Sequence, residues 1–276
     1  MLNITWFVAP PLLLLTEGTD DAAFQGSRCT SSDEQYESLV DGGCDIAITS
    51  MDNVFAWSRR ERGGAFYVVG QIERTTPLSL VAGSAFQTLE GLRGASILVD
   101  APGNGFVVAL MALLQDQGLA PGAYRLQQSG GVKERCDSLM EGQGDATLLG
   151  PPFDAVAIAA GYNSLTSIQH AYPTFPGQGM VVRRATLDRR RDELRAWMRQ
   201  VEVAFQHTAA QPGVAMERLQ ARGYTEGAAR AALRNLPLDI CPDSVGVELL
   251  VQHRKSLQLP GGEDSYQEIV SLELLS

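Results

Sequence analysis

The chain has 276 residues, 45% of them hydrophobic and 20% charged, with a formal net charge of −10. That apolar share excludes a disordered chain and leaves material for a core in more than one lobe. The negative balance argues against nucleic acid and anionic membrane surfaces as partners, although a cleft can carry a local field opposite to the net charge.

Taken in chain order, short β-like runs alternate with helical patterns. The first run, residues 4–8, leads into Pro10 and Pro11. No basic segment precedes it and the prolines interrupt the apolar stretch, so it does not read as a secretory signal. The longest apolar stretches are also too short to span a membrane. The expected location is therefore the cytoplasm, or the periplasm or a lipid anchor if a leader has been removed. Further strands are expected at residues 45–49, 66–70, 78–82, 95–99, 124–127, 146–149 and 179–182. Helical spacing falls at residues 32–40, 51–58, 104–117, 133–141 and 152–160. Strands alternating with helices predict parallel, doubly wound α/β sheets.

An internal echo runs through this pattern. The segment SLVDGGCDIA, from Ser38 to Ala47, parallels SLMEGQGDAT, from Ser138 to Thr147. In each copy an amphipathic helix ends at an acidic residue, a glycine supplies a left-handed cap, and an aspartate leads into a short apolar strand. Two copies with matched flanks predict two similarly built lobes. Residues 78–82 and 179–182 bracket the second copy and are expected to carry crossovers. One lobe then comprises residues 1–80 with 180–276, the other residues 81–179. From Leu187 to Leu219 the chain reads as strongly helical, and the basic run from Arg189 to Arg191 reads as a solvated helix face. Residues 225–235 and 243–257 complete a helical tail.

Ligands of parallel sheets bind where strands end and helices begin, because the first turn of a helix presents unpaired N–H groups. Six junctions carry small or capping residues: Pro10 and Pro11, Thr30 to Ser32, Ser50 to Asn53, Asp100 to Gly105, Ser129 to Val132, and Gly150 to Pro152. Together they predict a cleft whose N–H donors suit a carboxylate, sulfonate or other electron-rich group. Arg74 offers a planar fork for an anion, or a surface ion pair with Glu73. Phe7, Phe55, Trp57, Phe106, Tyr124 and Phe153 either wall the cleft or fill the core.

Enzymatic signatures are sparse. Gly103-Asn104-Gly105 lacks the spacing of a dinucleotide fingerprint, and no Walker lysine, GxSxG elbow or HExxH pair is present. His170, His207 and His253 lie far apart, with His207 and His253 expected at exposed helix positions. Cys29, Cys44, Cys136 and Cys241 show no CxxC pair and read as small buried apolar residues rather than a disulfide framework, zinc site or nucleophile. No cofactor or metal is expected.

The stretch from Ser31 to Trp57, the segment VVGQIER from Val68 to Arg74, and LEGLRGASILVD from Leu89 to Asp100 with the following Gly103-Asn104-Gly105 resemble the nitrate, sulfonate, taurine and thiamine-pyrimidine group of solute-binding proteins. The resemblance extends over residues 1–235 and is clearest at 31–160. It implies a type II periplasmic-binding fold, two doubly wound lobes joined by two crossovers, that captures a small organic solute and hands it to an ABC permease. Carried over by position, the implied ligand contacts are Pro10, Ser31, Ser32, Ser50, Asp52, Asn53, Arg74, Thr75, Gly103, Asn104, Gly105, Gly130, Gly131, Gly150 and Pro151. The segment from Leu15 to Phe24 is shorter than the first helix and second strand usual in that group. Cytoplasmic enzymes share the fold, so the alternative is a decarboxylase, lyase or dehydratase in which Asp52 and Asp100 would act as acid and base. The cysteine-rich iron motif of the pyrimidine synthase on this fold is not present in the sequence.

Overall fold

A computed structural model describes residues 1–16 and 24–275. The first part of the chain runs β1 (Leu2–Trp6), α1 (Pro11–Thr16), β2 (Phe24–Arg28), α2 (Ser32–Asp41), β3 (Ile46–Ser50), α3 (Asn53–Trp57) and β4 (Phe66–Gln71). A second series follows: β5 (Ser79–Ala82), β6 (Ser96–Val99), α4 (Gly105–Asp116), β7 (Arg125–Gln128), α5 (Val132–Met140), β8 (Ala146–Leu149), α6 (Phe153–Ala159), β9 (Asn163–Ser167) and α7 (Ile168–Ala171). The chain then returns through β10 (Gln178–Arg183) into α8 (Arg184–Arg189), α9 (Arg191–Ala210), α10 (Pro212–Ala221), α11 (Glu226–Arg234), α12 (Ser244–Ser256) and α13 (Tyr266–Ile269). Residues 17–23, across which the shortened first-helix reading runs, lie outside the described part.

The strands form two five-stranded sheets with one topology, β2-β1-β3-β10-β4 and β7-β6-β8-β5-β9. The strand that arrives from the other sheet is the one that runs against its neighbours. Strand β10 is antiparallel to β3 and β4, and β5 is antiparallel to β8 and β9, while β1, β2 and β3 are parallel, as are β6, β7 and β8. The doubly wound α/β expectation therefore holds, with each sheet mixed rather than wholly parallel. Strands β2 and β9 were not expected from the sequence. Both are edge strands whose residues are half-buried or exposed, so neither carries the apolar alternation that marks a strand.

The echo is the local signature of this duplication. Gly42 and Gly142 both take positive φ, 79° and 73°, at the ends of α2 and α5. Asp45 Oδ2 accepts from Asn3 N–H at 2.9 Å, and Asp145 Oδ2 accepts from Ser96 N–H at 2.7 Å. In both halves the aspartate thus ties the strand it opens to the first residues of the neighbouring parallel strand.

The helical stretch beyond β10 breaks twice. Pro212 at the start of α10 cannot continue α9. At the other break Arg190 donates to Asp45 Oδ2 at 2.6 Å and to the Met1 carbonyl at 2.9 Å, so it is a half-buried brace rather than part of a solvated face. The amphipathic α9 lays Leu194, Trp197, Met198 and Val201 against Ile4, Ile46, Ile48 and Val182 of the first sheet.

Two paired connections join the sheets, residues 72–78 and 172–177. Gly177 N–H donates to the Arg74 carbonyl, and Ile72 N–H to that of Gln178. A Cβ at Gly177 would lie 2.2 Å from the Glu73 carbonyl oxygen, so only glycine permits this backbone approach. Gln71 links the pair onward: its Nε2 donates to the Glu73 carbonyl, and its Oε1 accepts from the N–H of Asp243, the residue that caps α12.

Candidate functional site

The residues that follow β3 and β6 and those that open α2 and α4 meet in one seam between the two sheets. Gly105 N–H, the first of α4, donates to Asn53 Oδ1 at 2.8 Å, and Thr49 Oγ1 steadies the Asn53 amide at 2.7 Å. In the opposite sense, Ser32 N–H, the first of α2, donates to Asp100 Oδ2 at 3.3 Å, and Asn104 Nδ2 reaches the same oxygen at 2.9 Å. Each half of the molecule therefore caps a helix of the other. The first amides of a helix have no partner within it and carry its positive end, so an amide oxygen and a carboxylate are suitable acceptors there.

The seam is tight and polar. Ser32, Ser50, Asp52, Asn53, Asp100 and Asn104 are all buried. A Cβ at Gly105 would lie 2.3 Å from Ser50 Oγ and 2.4 Å from Asp52 Cβ, so glycine is required for the halves to approach this closely. At the rim Arg28 Nη2 meets both Glu134 oxygens, at 2.8 and 2.9 Å, and joins β2 to α5.

Each buried carboxylate has an arginine. Asp52 receives Arg254 side-on, with Nε donating to Oδ2 at 2.8 Å and Nη2 to Oδ1, both side chains almost wholly buried. The Arg254 guanidinium also lies 4.9 Å from the centre of the Phe55 ring and donates to the Pro260 carbonyl. Asp100 lies 3.8 Å from Arg135, which is held by Thr147 Oγ1 and the carbonyls of Gly130 and Leu148. Burial pushes the Asp100 carboxyl above its usual range, opposed by the Arg135 charge and the Ser32 N–H.

Next to Arg254, His253 is 4% exposed, packed 4.4 Å from the Tyr172 ring and stacked 6.3 Å from Phe175. Neither ring nitrogen has a hydrogen-bond partner among the described residues. Burial lowers its pKa to about 4, against the opposing pull of Asp52 and Asp116. The expectation of an exposed His253 is thus corrected: α12 turns this face onto the second connection. His207 and His170 are exposed.

Of the residues singled out from the sequence, Ser32, Ser50, Asp52, Asn53, Asp100, Asn104 and Gly105 come together. Ser31 turns its hydroxyl to Glu34 N–H as the cap of its own helix. Gly130 and Gly131 sit at the rim, where a Cβ on Gly131 would lie 3.5 Å from the Thr30 carbonyl. Gly103 is exposed, and Pro10 is buried before α1. Arg74, exposed, and Thr75, which accepts from Gln169, belong to the paired connections. Gly150 packs on the Pro77 carbonyl, and Pro151 is exposed ahead of a cis bond to Pro152. Phe55, Trp57 and Tyr124 are core residues, Phe106 meets Phe175 beside the seam, and Phe7 and Phe153 are half-buried. Cys29, Cys44 and Cys136 are buried free thiols and Cys241 is half-buried.

Sequence reading missed Arg254, Arg135 and Arg28. Arg254 stands in a basic last turn, a pattern the helix dipole explains by itself, so nothing local distinguishes it.

Two five-stranded sheets of one topology, joined by two connections with a polar seam between them, define a periplasmic-binding-protein fold. The family model described as NMT1/THI5 like matches residues 30–215, more than half of the chain, and the chain belongs to that family. Among solved structures, the periplasmic nitrate-binding protein NrtA from Synechocystis superposes with a TM-score of 0.80 at 10% identity, covering 99% of this chain and 86% of that one. The alkanesulfonate-binding protein SsuA from Xanthomonas axonopodis, bound to MOPS, gives 0.72 at 18% identity, with coverage of 94% and 93%. A ligand-binding component of an ABC-type import system from Staphylococcus aureus, with zinc bound, gives 0.77 at 13% identity, with coverage of 99% and 97%. No curated protein matches the sequence. No helix among the described residues is long and apolar enough to cross a membrane.

Proposed function

We propose that this chain captures a small organic solute, anionic or heterocyclic, between its two halves and presents it to an ABC permease outside the cytoplasmic membrane. Residues 1–80 with 180–276, and residues 81–179, act as the two jaws, and the paired connections act as the hinge. The observation that carries the reading is the seam itself: the starts of two long helices, one from each sheet, face one another amid buried Ser50, Asn53 and Asn104. Once released from Asn53 and Asp100, these opposed N–H donors, with the small polar side chains around them, suit a compact acceptor-rich solute. The family and the import-system neighbours support the same reading. Both carboxylates are engaged within the chain, Asp52 by Arg254 and Asp100 by Ser32 N–H and Asn104, which weighs against turnover.

Native mass spectrometry of protein purified from its own host tests the proposal by naming a co-purified molecule. Thermal shift with nitrate, MOPS, taurine and a pyrimidine gives a second reading, since a solute at 100 times its Kd stabilises by roughly 2.7 kcal/mol. No co-purified molecule together with no shift across the panel would overturn the proposal. So would chemical conversion of a bound compound.

A further inference from the structure

We infer that the two halves are latched shut by their own side chains: Asn53 caps α4 and Asp100 caps α2 across the seam, so that closure does not depend on a solute to bridge the halves. Three observations converge. The two bonds are reciprocal, one given by each half. The acceptors are buried and pre-set, Asn53 by Thr49 and Asp100 by Asn104. Glycine at position 105 allows a backbone approach that any side chain would obstruct by about an atom's width. The rim pair of Arg28 with Glu134, and, at the other end of α4, Gln115 Nε2 donating to the Ser256 carbonyl at 3.0 Å, add further bonds between the halves.

The consequence for solute capture rests on the cleft reading above, whereas the latch itself does not. A solute must find the fraction of molecules in which both caps have let go, and its apparent affinity falls by that fraction. Asn53 and Asp100 are then gate residues: weakening them populates the open form.

Amide hydrogen exchange by NMR, on the full chain with no solute added, reads the latch directly. The amides of Ser32 and Gly105 are the first of their helices, so within α2 or α4 alone nothing protects them. Protection at these two positions therefore reports the cross-seam bonds. They should exchange about tenfold or more slowly than Glu226 N–H, the exposed first amide of α11, after correction for local sequence. Asn53→Ala should release position 105 and Asp100→Ala position 32. Gly105→Ala keeps both acceptors and should free both positions by forcing the seam apart, with a larger radius of gyration in solution scattering. Protection of β3 and β8 amides shows that each variant is folded. Exchange at Ser32 and Gly105 of the unmodified chain as fast as at Glu226, with the sheets protected, would overturn the latch. Since no solute takes part, that outcome is separate from any failure to find one.

Discussion

The two carboxylates at the seam are supported from different distances. Asp100 is balanced from within its own half, by Arg135 on α5, which is anchored to β8 of the same sheet. Asp52 is balanced by a side chain 202 positions later, brought back by α12 after the chain has crossed twice between the sheets. The second sheet thus builds its side of the seam locally, while the first borrows the C-terminal region. The comparison teaches that α12 braces the seam, although it contributes to neither sheet. The residue before Arg254, His253, packs on the second connection, so one helix ties the seam to the paired connections.

The sharpest way to break this comparison is Arg254→Ala. It strands Asp52 in a dry interior, and removing one partner of a buried pair costs about 3–5 kcal/mol. Urea denaturation should show that loss in the midpoint at unchanged slope, and Arg254→Lys should not restore it, because the side-on geometry needs the guanidinium plane. A loss below about 1 kcal/mol would mean that α12 does not support the seam.

His253 sharpens the role of α12 through pH. Its pKa falls from 6.5 in the unfolded chain to about 4 in the fold, so the folded state binds fewer protons between those values. Its contribution is complete above about pH 6.5 and is lost as pH falls toward 4, about 3 kcal/mol in all. His253→Leu should remove this portion of the acid sensitivity in denaturation curves taken from pH 7 to 4. Unchanged sensitivity in the variant would show that other groups carry it.

The smallest effect is expected in the self-supported half. Arg135→Ala removes a charge 3.8 Å from Asp100 and leaves Thr147 and two carbonyls a donor short, but Asp100 keeps Ser32 N–H and Asn104. About 2 kcal/mol is expected by the same denaturation measurement. A cost equal to that of Arg254→Ala would erase the distinction between the halves.

Much of this was legible in the sequence. The echo around Gly42 and Gly142 pointed to duplication because a left-handed glycine followed by an aspartate and an apolar strand is set by local backbone chemistry. Asn53, Asp100 and Gly105 were singled out as junction residues for the same local reason. Edge strands β2 and β9 escaped because a strand with no buried residue on either face has no hydrophobic period to read. His253 was misplaced because one imidazole between polar neighbours on a helix gives no sign of which face is covered.

What the chain determined by itself were its periods and its caps: where helices start, where glycines turn the backbone, and that the pattern occurs twice. These depend on interactions within a few residues, which neighbouring side chains and φ preferences decide. Only the tertiary structure decided that Asn53 meets Gly105, that Asp100 meets Ser32, and that Arg254 returns to Asp52. Those partners are 52, 68 and 202 positions apart, and their meeting depends on how two sheets and a terminal helix pack, a matter of global burial that no local window contains.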